Sequence, residues 1–364
     1  MQKPARIRDL GIIPGTLPTG PLNAITDVPG VRVGHTTIDN GADLHTGVTA
    51  IVPTALGGGE RGVTAIVPAA AGGADQAAAP GGGRQATLPA AVAVGNGYGK
   101  LVGSTQIDEL GVLETPILLT GTLSVFRVAD ALLTYLLDLD PAATSLNPVV
   151  GETNDGFLSD IRRRPITPDH VFHALSSAST GLPAEGCVGA GTGTAALGFK
   201  AGIGTSSRVV SGDAGAGTVG ALVQSNFSGV LTVLGTPIPA DSVGEPGGNS
   251  CMIVVATDLP LDARQLGRVA RRAIFAMGRV GSDFAPGSGD YAIAFTVDSD
   301  RTTTSARPPL PERDLRPVFQ AAMESVEEAL LNSLTMAHTI TGFRGNTRNA
   351  VSHETLLTAV GTRP

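Results

Sequence analysis

Aromatic side chains are scarce in this 364-residue chain, with 10 Phe, 3 Tyr and no Trp, and Lys is scarcer still, occurring only as Lys3, Lys100 and Lys200. A core must therefore come from Ala, Val, Ile and Leu. Hydrophobic residues reach 42% and charged ones only 16%, which excludes a disordered or fibrous chain. No run approaches the roughly 18 apolar residues that a membrane-crossing helix needs. The start, Met1-Gln-Lys-Pro-Ala-Arg-Ile-Arg-Asp9, lacks the apolar centre of a secretory signal. Two cysteines, Cys187 and Cys251, are too few for a disulfide framework and suit a reducing compartment. With 25 Lys and Arg against 32 Asp and Glu, the net charge is −7, and the longest basic run is Arg162 to Arg164. Nucleic acid and membrane are thus not expected as partners, and a cytoplasmic location is.

What the chain has in abundance is glycine, 49 residues, with 25 prolines. Small residues let backbones approach closely, which favours one layered domain of stacked sheets and helices. The heptapeptide Gly47 to Pro53 (GVTAIVP) recurs at 62–68 within a Gly/Ala/Pro-rich stretch, about 54–88, that reads as a surface insertion. Asn23 to Gly34 reads as short strands broken at Pro29-Gly30. Apolar residues spaced by three and four predict helices over 122–138, 168–179, 262–277 and 313–339. In the last, Phe319, Ala322, Val326, Leu330 and Leu334 form one stripe. Strands are expected at 219–223, 230–234, 252–257 and 292–297. The third is apolar on both faces, so it should be buried on both.

Two glycine motifs suggest phosphate binding and fail. Gly95-Asn-Gly-Tyr-Gly-Lys100 has Val94 where a P-loop begins with Gly, and Leu101 in place of its hydroxyl residue; Gly189-Ala-Gly-Thr-Gly193 breaks the dinucleotide spacing. No HExxH, CxxC or GxSxG is present, so neither a metal site nor a nucleophile elbow is indicated. No cofactor is expected. His170 and His173, the one close pair, read as capping or solvated residues.

The segment Gly244-Glu-Pro-Gly-Gly-Asn-Ser-Cys-Met252 differs from these. A Pro-Gly-Gly lead runs into Asn249-Ser250, and the doubly apolar strand follows at once. That places a hydroxyl beside a peptide whose preceding residues are free to bend. Attack of Ser250 on the Asn249 carbonyl, by N-to-O acyl shift and hydrolysis, would create a new N-terminus. Its α-amine, with a reference pKa of about 7.7–8, could serve as base for its own hydroxyl. Without further support, a Ser before a strand is a turn or cap residue.

At this point the chain resembles the self-cleaving aminopeptidase family of DmpA (L-aminopeptidase/D-esterase) and the β-peptidyl aminopeptidases. The likeness rests on Arg6-Ile-Arg-Asp-Leu-Gly11, Asn23 to His35, Gly95 to Lys100, Leu118 to Ser124 and Gly151-Glu-Thr-Asn-Asp-Gly156. It continues through Gly189 to Gly193, Phe199 to Ser206, Val223 to Phe227, Ser250 with its strand, and Gly287-Ser-Gly-Asp290. It implies an α+β, four-layer αββα sandwich of the N-terminal-nucleophile-hydrolase type, cut into residues 1–249 and 250–364. It also implies Ser250 as nucleophile, Asn226 as oxyanion donor, and Ser288 with Asp290 as the proton-relaying pair. Glu152 would hold the substrate's ammonium, Asn154 would contact substrate, and Lys200 would lie near the site. Small peptides or amino-acid amides are the implied substrates, and a homo-oligomer, a tetramer, the implied assembly. Cys251 points away from Ser250 and is read as core.

Three departures bear on substrate preference among L-, D- and β-amino acids. Asn154 stands where some members have Tyr, Asn249 where some have Gly, and Asp290 where the β-peptidyl enzymes have Glu. An amidase or acyltransferase of the same fold, or an uncleaved glycine-rich small-molecule or nucleotide-binding protein, are the alternatives.

Overall fold

The computed structural model describes residues 2–56, 86–212, 215–240, 249–298 and 307–361. The second GVTAIVP copy, most of the 54–88 insertion and the Gly244 to Gly248 lead lie outside them. In chain order the first strands are β1 (Val31–Asp39), β2 (His45–Pro53) and β3 (Leu88–Gly97), followed by helix α1 (Ser104–Leu110). Next come β4 (Val112–Leu113), β5 (Ile117–Gly121), α2 (Val125–Leu139), β6 (Val149–Thr153) and α3 (Pro168–Ser176). The second half holds β7 (Ala195–Ala196), β8 (Phe199–Lys200), β9 (Ile203–Gly212), β10 (Gly215–Asn226), β11 (Leu231–Val233) and β12 (Thr236–Ile238). It ends with β13 (Asn249–Thr257), α4 (Ala263–Arg279), β14 (Ser288–Thr296), α5 (Leu315–Thr335), the short pair β15 (Ile340–Thr341) and β16 (Thr347–Arg348), and α6 (His353–Val360).

Two sheets form the centre, one ordered β1-β2-β5-β6 and the other β4-β3-β14-β13-β10-β9. Side chains alternate along each strand, so each sheet presents two apolar faces and three cores result. Outermost on one side, Val48, Ala50, Leu118 and Val150 pack under Val128, Leu132 and Leu136 of α2 and Val171 and Leu175 of α3. Between the sheets, Ile51, Ile117, Leu119 and Val149 meet Leu222, Met252, Val254 and Ile293. On the far side, Val223, Ile253, Val255 and Ala292 lie beneath α4 and α5. This is the expected αββα sandwich. Close approach depends on glycine where expected: a Cβ on Gly204 would strike the α5 carbonyl of Ala329, and one on Gly151 would strike the Met252 side chain across the sheet interface.

The helices and the four expected strands form within a few residues of their expected bounds, and two segments differ. Asn23 to Gly34 is not two short strands. Asp27 accepts the backbone N–H groups of Leu22 (2.9 Å) and Ala24 (3.0 Å), closing a 3₁₀ turn at Ile25–Asp27 before β1 begins. Helix α5 is buried well beyond a single stripe, because the N-terminal segment covers its polar side. Arg208, fully buried on β9, reaches Glu324 (3.2 Å) and Glu328 (2.7 Å), while Arg8 and Asn23 also bond Glu328. Among the described residues no helix is long and apolar enough to cross a membrane.

Removing Arg208 would leave the buried Glu324 short of a cation and Glu328 with Arg8 alone. Arg208→Met should cost about 3–5 kcal/mol, read from the urea denaturation midpoint; a loss below about 1 kcal/mol, the range of surface pairs, would contradict the network's role.

Candidate active site

Strand β13 sets the site's frame. Met252, Val254 and Ala256 belong to the core between the sheets, and Cys251, Ile253 and Val255 to the core under α4 and α5. By the same alternation Ser250 faces the space between the sheets, and Cys251 is fully buried on the other side, as expected. Burial pushes the Cys251 thiol well above its ordinary value. The Ser250 hydroxyl donates to the carbonyl oxygen of Asn249, the carbonyl it would attack in self-cleavage. Asn249 is anchored in turn, its Nδ2 donating to Ser228 Oγ at 3.1 Å.

Antiparallel pairing places Asn226 of β10 directly opposite Ser250, on the same face. Asn226 Oδ1 accepts the Ala195 N–H at 3.1 Å, which sets the orientation of the amide. Two residues along, Gln224 donates to Thr120 O (3.2 Å) and Ala190 O (2.9 Å), tying the Ser250 row to the end of β5 in the other sheet.

Ser288 and Asp290 lie on β14, parallel to β13, with Asn249 opposite Ser288 and Cys251 opposite Asp290. Ser288 Oγ donates to Asp290 Oδ1 at 2.7 Å and Asn96 Nδ2 to Oδ2 at 3.0 Å, so the i, i+2 pair forms as expected. Burial raises the Asp290 pKa, and the bonds from Ser288 and Asn96 oppose the rise. Pleat parity adds a constraint. By register the pair shares its face with Asn249 and Cys251, on the opposite side of β13 from the Ser250 side chain, and the Cys251 backbone N–H beside Asp290 favours the ionised carboxyl.

Glu152 is the penultimate residue of β6, next to Gly151, which packs on Met252. It is only 2% exposed. Its Oε1 accepts the Lys100 N–H at 3.0 Å and lies 3.4 Å from Lys100 Nζ, while its Oε2 is buried without a hydrogen-bond partner. In the sequence Lys100 stands out as the end of a failed P-loop and of a family motif, with no role of its own assigned. The loop it closes runs from the Ser288 carbonyl, which accepts the Tyr98 N–H at 3.1 Å, to Glu152. It therefore joins the Ser–Asp pair to the buried acid. Asn154 Oδ1 accepts the Gly156 N–H at 2.9 Å in a local turn, and the residue is half-buried.

Lys200 is fully buried, its Nζ donating to the Gly191 (3.2 Å) and Ala201 carbonyls. Its own strand partner Ala195 supplies the N–H held by Asn226, so it stands one strand behind the Asn226–Ser250 pair. Burial lowers its pKa, with Cys187, Asp39 and Asp155 opposing. Contact with Ser250 is not among its hydrogen bonds. His170 Nδ1 accepts the Thr167 N–H at 3.0 Å, which is the capping role expected of it. Among the described residues no three His, Cys, Asp or Glu side chains group as metal ligands.

A family model described as Peptidase family S58 matches residues 23–348. The chain belongs to that family. This S58 peptidase is 35% identical to a β-peptidyl aminopeptidase BapA of Sphingosinicella microcystinivorans, over 96% of this chain and 90% of that protein. It superposes on a Burkholderia sp. β-aminopeptidase with a TM-score of 0.83 at 38% identity, covering 99% and 100% of the two chains. With the L-aminopeptidase D-Ala-esterase/amidase of Ochrobactrum anthropi, described as a prototype of the serine aminopeptidases and a variant of the Ntn hydrolase fold, the TM-score is 0.81 at 33% identity, over 98% of each chain. By family and fold, the S58 chain is a serine aminopeptidase of the N-terminal-nucleophile type.

The Ser288 hydroxyl favours the ionised Asp290. In Ser288→Ala the Asp290 carboxyl should therefore ionise at higher pH than in the wild type, followed by carbon-13 NMR of labelled aspartate. An unchanged titration would show that the pair is not coupled.

Proposed function

We propose that the chain cuts itself between Asn249 and Ser250 and then removes N-terminal residues from small peptides and amides, with β-amino acids as the first class to test. The observation that carries this is the Ser250 hydroxyl held against the Asn249 carbonyl at the mouth of a strand locked on both faces. In the first stage Ser250 Oγ bonds to the Asn249 carbonyl carbon, the C–N bond breaks and the proton passes to the Ser250 nitrogen. Water then hydrolyses the ester, leaving a carboxylate on Asn249 and a free amine on Ser250. Ser288 and Asp290, on the strand paired with that peptide, are suited to carry the protons of this exchange.

In turnover the Ser250 amine takes the proton of its own hydroxyl, and Oγ attacks the substrate carbonyl. The Asn226 NH₂ meets the charge that grows on the carbonyl oxygen. The amine then protonates the departing nitrogen, and water releases the acyl group. Glu152 supplies specificity for a free N-terminus: its unpartnered Oε2 can accept an ammonium, whereas an internal peptide nitrogen brings no charge to offset the buried carboxylate. Asn154 would border the same subsite, and Lys200 would act on it only at one remove. β-Amino acids lead because proteins named for that activity are similar over nearly the whole chain; Asp290 in place of Glu is the feature that argues for testing α- and D-residues beside them. A cytoplasmic homo-oligomer of cut protomers, tetrameric by resemblance, is the accompanying proposal.

Ser250→Ala should yield a single uncut chain on a denaturing gel, with no hydrolysis of aminoacyl p-nitroanilides. Processing of that variant would mean that another residue is the nucleophile. Because the amine acts unprotonated, the wild-type rate should rise through about pH 7–8, and a flat profile would contradict the amine as base.

A further inference from the structure

Glu152 is already partly neutralised before any substrate arrives. Lys100 supplies a backbone N–H at 3.0 Å and an ammonium at 3.4 Å to its Oε1. A substrate ammonium would bring a second positive charge to one buried carboxylate, and two cations sharing one anion repel unless further negative charge is at hand.

Asp155 is the acid placed to provide it. It follows Glu152 by three residues and folds back over the end of β5. A Cβ on Gly121 would lie 2.7 Å from Asp155 Oδ2, and Gly121 and Thr120 are the strand partners of Thr153 and Glu152. Its backbone is fixed, the carbonyl accepting the N–H groups of Leu158 (3.2 Å) and Ser159 (3.0 Å). The side chain is 1% exposed. Thr46 lies beside it, yet neither carboxyl oxygen has a hydrogen bond of normal geometry. A buried carboxyl in that state is either neutral or awaiting a cation. The charged groups that face it are Glu152 and Lys200. His45, reached through Gly193, turns its ring to Asp39 and Gly342 instead. Burial is the main cause that pushes the Asp155 carboxyl up to about 7, with Glu152 adding to the rise and Lys200 opposing it.

We propose that Asp155 is the second acid of the amine subsite, neutral while Lys100 alone pairs with Glu152 and ionised once a substrate ammonium joins them. The inference rests on Glu152 being the ammonium-binding carboxylate. The proton leaves to solvent, so binding of a cationic N-terminus near neutral pH is coupled to proton release. Asp155 acts through charge on the bound ammonium and takes no part in the acyl transfer.

Asp155→Asn keeps the shape and cannot ionise. In the wild type the folded state holds this proton between the ordinary carboxyl value and about 7, so stability is lost as pH rises through that window. Asn removes that loss, and the variant should unfold no earlier than the wild type at about pH 8. In the processed enzyme its KM for a β-aminoacyl p-nitroanilide should rise about 10- to 100-fold, with the larger part of the loss in KM rather than kcat. Titration of a product-like β-amino acid amide in buffers of different ionisation enthalpy should show proton release in the wild type and none in Asp155→Asn. Unchanged KM and unchanged proton release would overturn the proposal, as would kcat and thermal midpoint falling together with KM unmoved. Glu152→Gln separates the two readings. A raised KM there with none in Asp155→Asn overturns only the role of Asp155, and an unaltered KM in Glu152→Gln overturns the ammonium subsite and this proposal with it.

Discussion

The site depends on β13 having no solvent face. Cys251, Ile253 and Val255 are committed to the core under α4 and α5, and Met252, Val254 and Ala256 to the core between the sheets. A slip of one residue would exchange the two sets between cores shaped for the other, and such mispacking costs about 1–3 kcal/mol at each site. Packing far along the strand thus determines where Ser250 stands relative to Asn226 on one neighbour and Ser288 on the other. The reactive peptide sits where this commitment begins, with the half-buried Asn249 as first residue of the strand and Ser250 as second. A nucleophile built in this way needs no elbow turn or metal to hold it; the sandwich holds it.

Charge is scarce in this chain, 16% of its residues, and in the proposed function it does the selecting. Two of its three lysines, Lys100 and Lys200, converge on the end of the sandwich where Glu152 and Asp155 are buried. In such surroundings an unpaired charge is costly, so the state of each acid is set by the cations present. On the proposed role of Glu152, discrimination for a free N-terminus follows from this, and the loop Tyr98 to Lys100 keeps that role close to the proposed chemistry, because the same few residues contact Ser288 at one end and Glu152 at the other.

What the sequence made legible was whatever rests on local periodicity. The doubly apolar strand at Met252, the amphipathic run from Val125 to Leu136 and the i, i+2 spacing of Ser288 and Asp290 all appear in the structure as their spacing requires. Residue roles came from order-specific motifs rather than from any one residue. The parts that escaped are those whose partners are distant in the chain. Gly204-Thr-Ser-Ser-Arg208 is polar and has no place among the expected strands, yet it is the buried middle of β9, because the α5 glutamates and the turn at Asn23 satisfy its polar groups. Lys100 reads as part of a failed P-loop and of a family motif, and no partner is assigned to it, since nothing near it in sequence points to Glu152. Asp155 appears only within the motif Gly151 to Gly156 with no role of its own, and the fold over Gly121 reveals it as a buried acid beside Glu152.

Intact-mass measurement of the purified protein, combined with N-terminal sequencing, tests the central claim most directly. The account requires two polypeptides, residues 1–249 and 250–364, the second beginning Ser-Cys-Met-Ile. A single full-length chain whose only N-terminus is the initiator end, in a preparation with full hydrolytic activity, would contradict it.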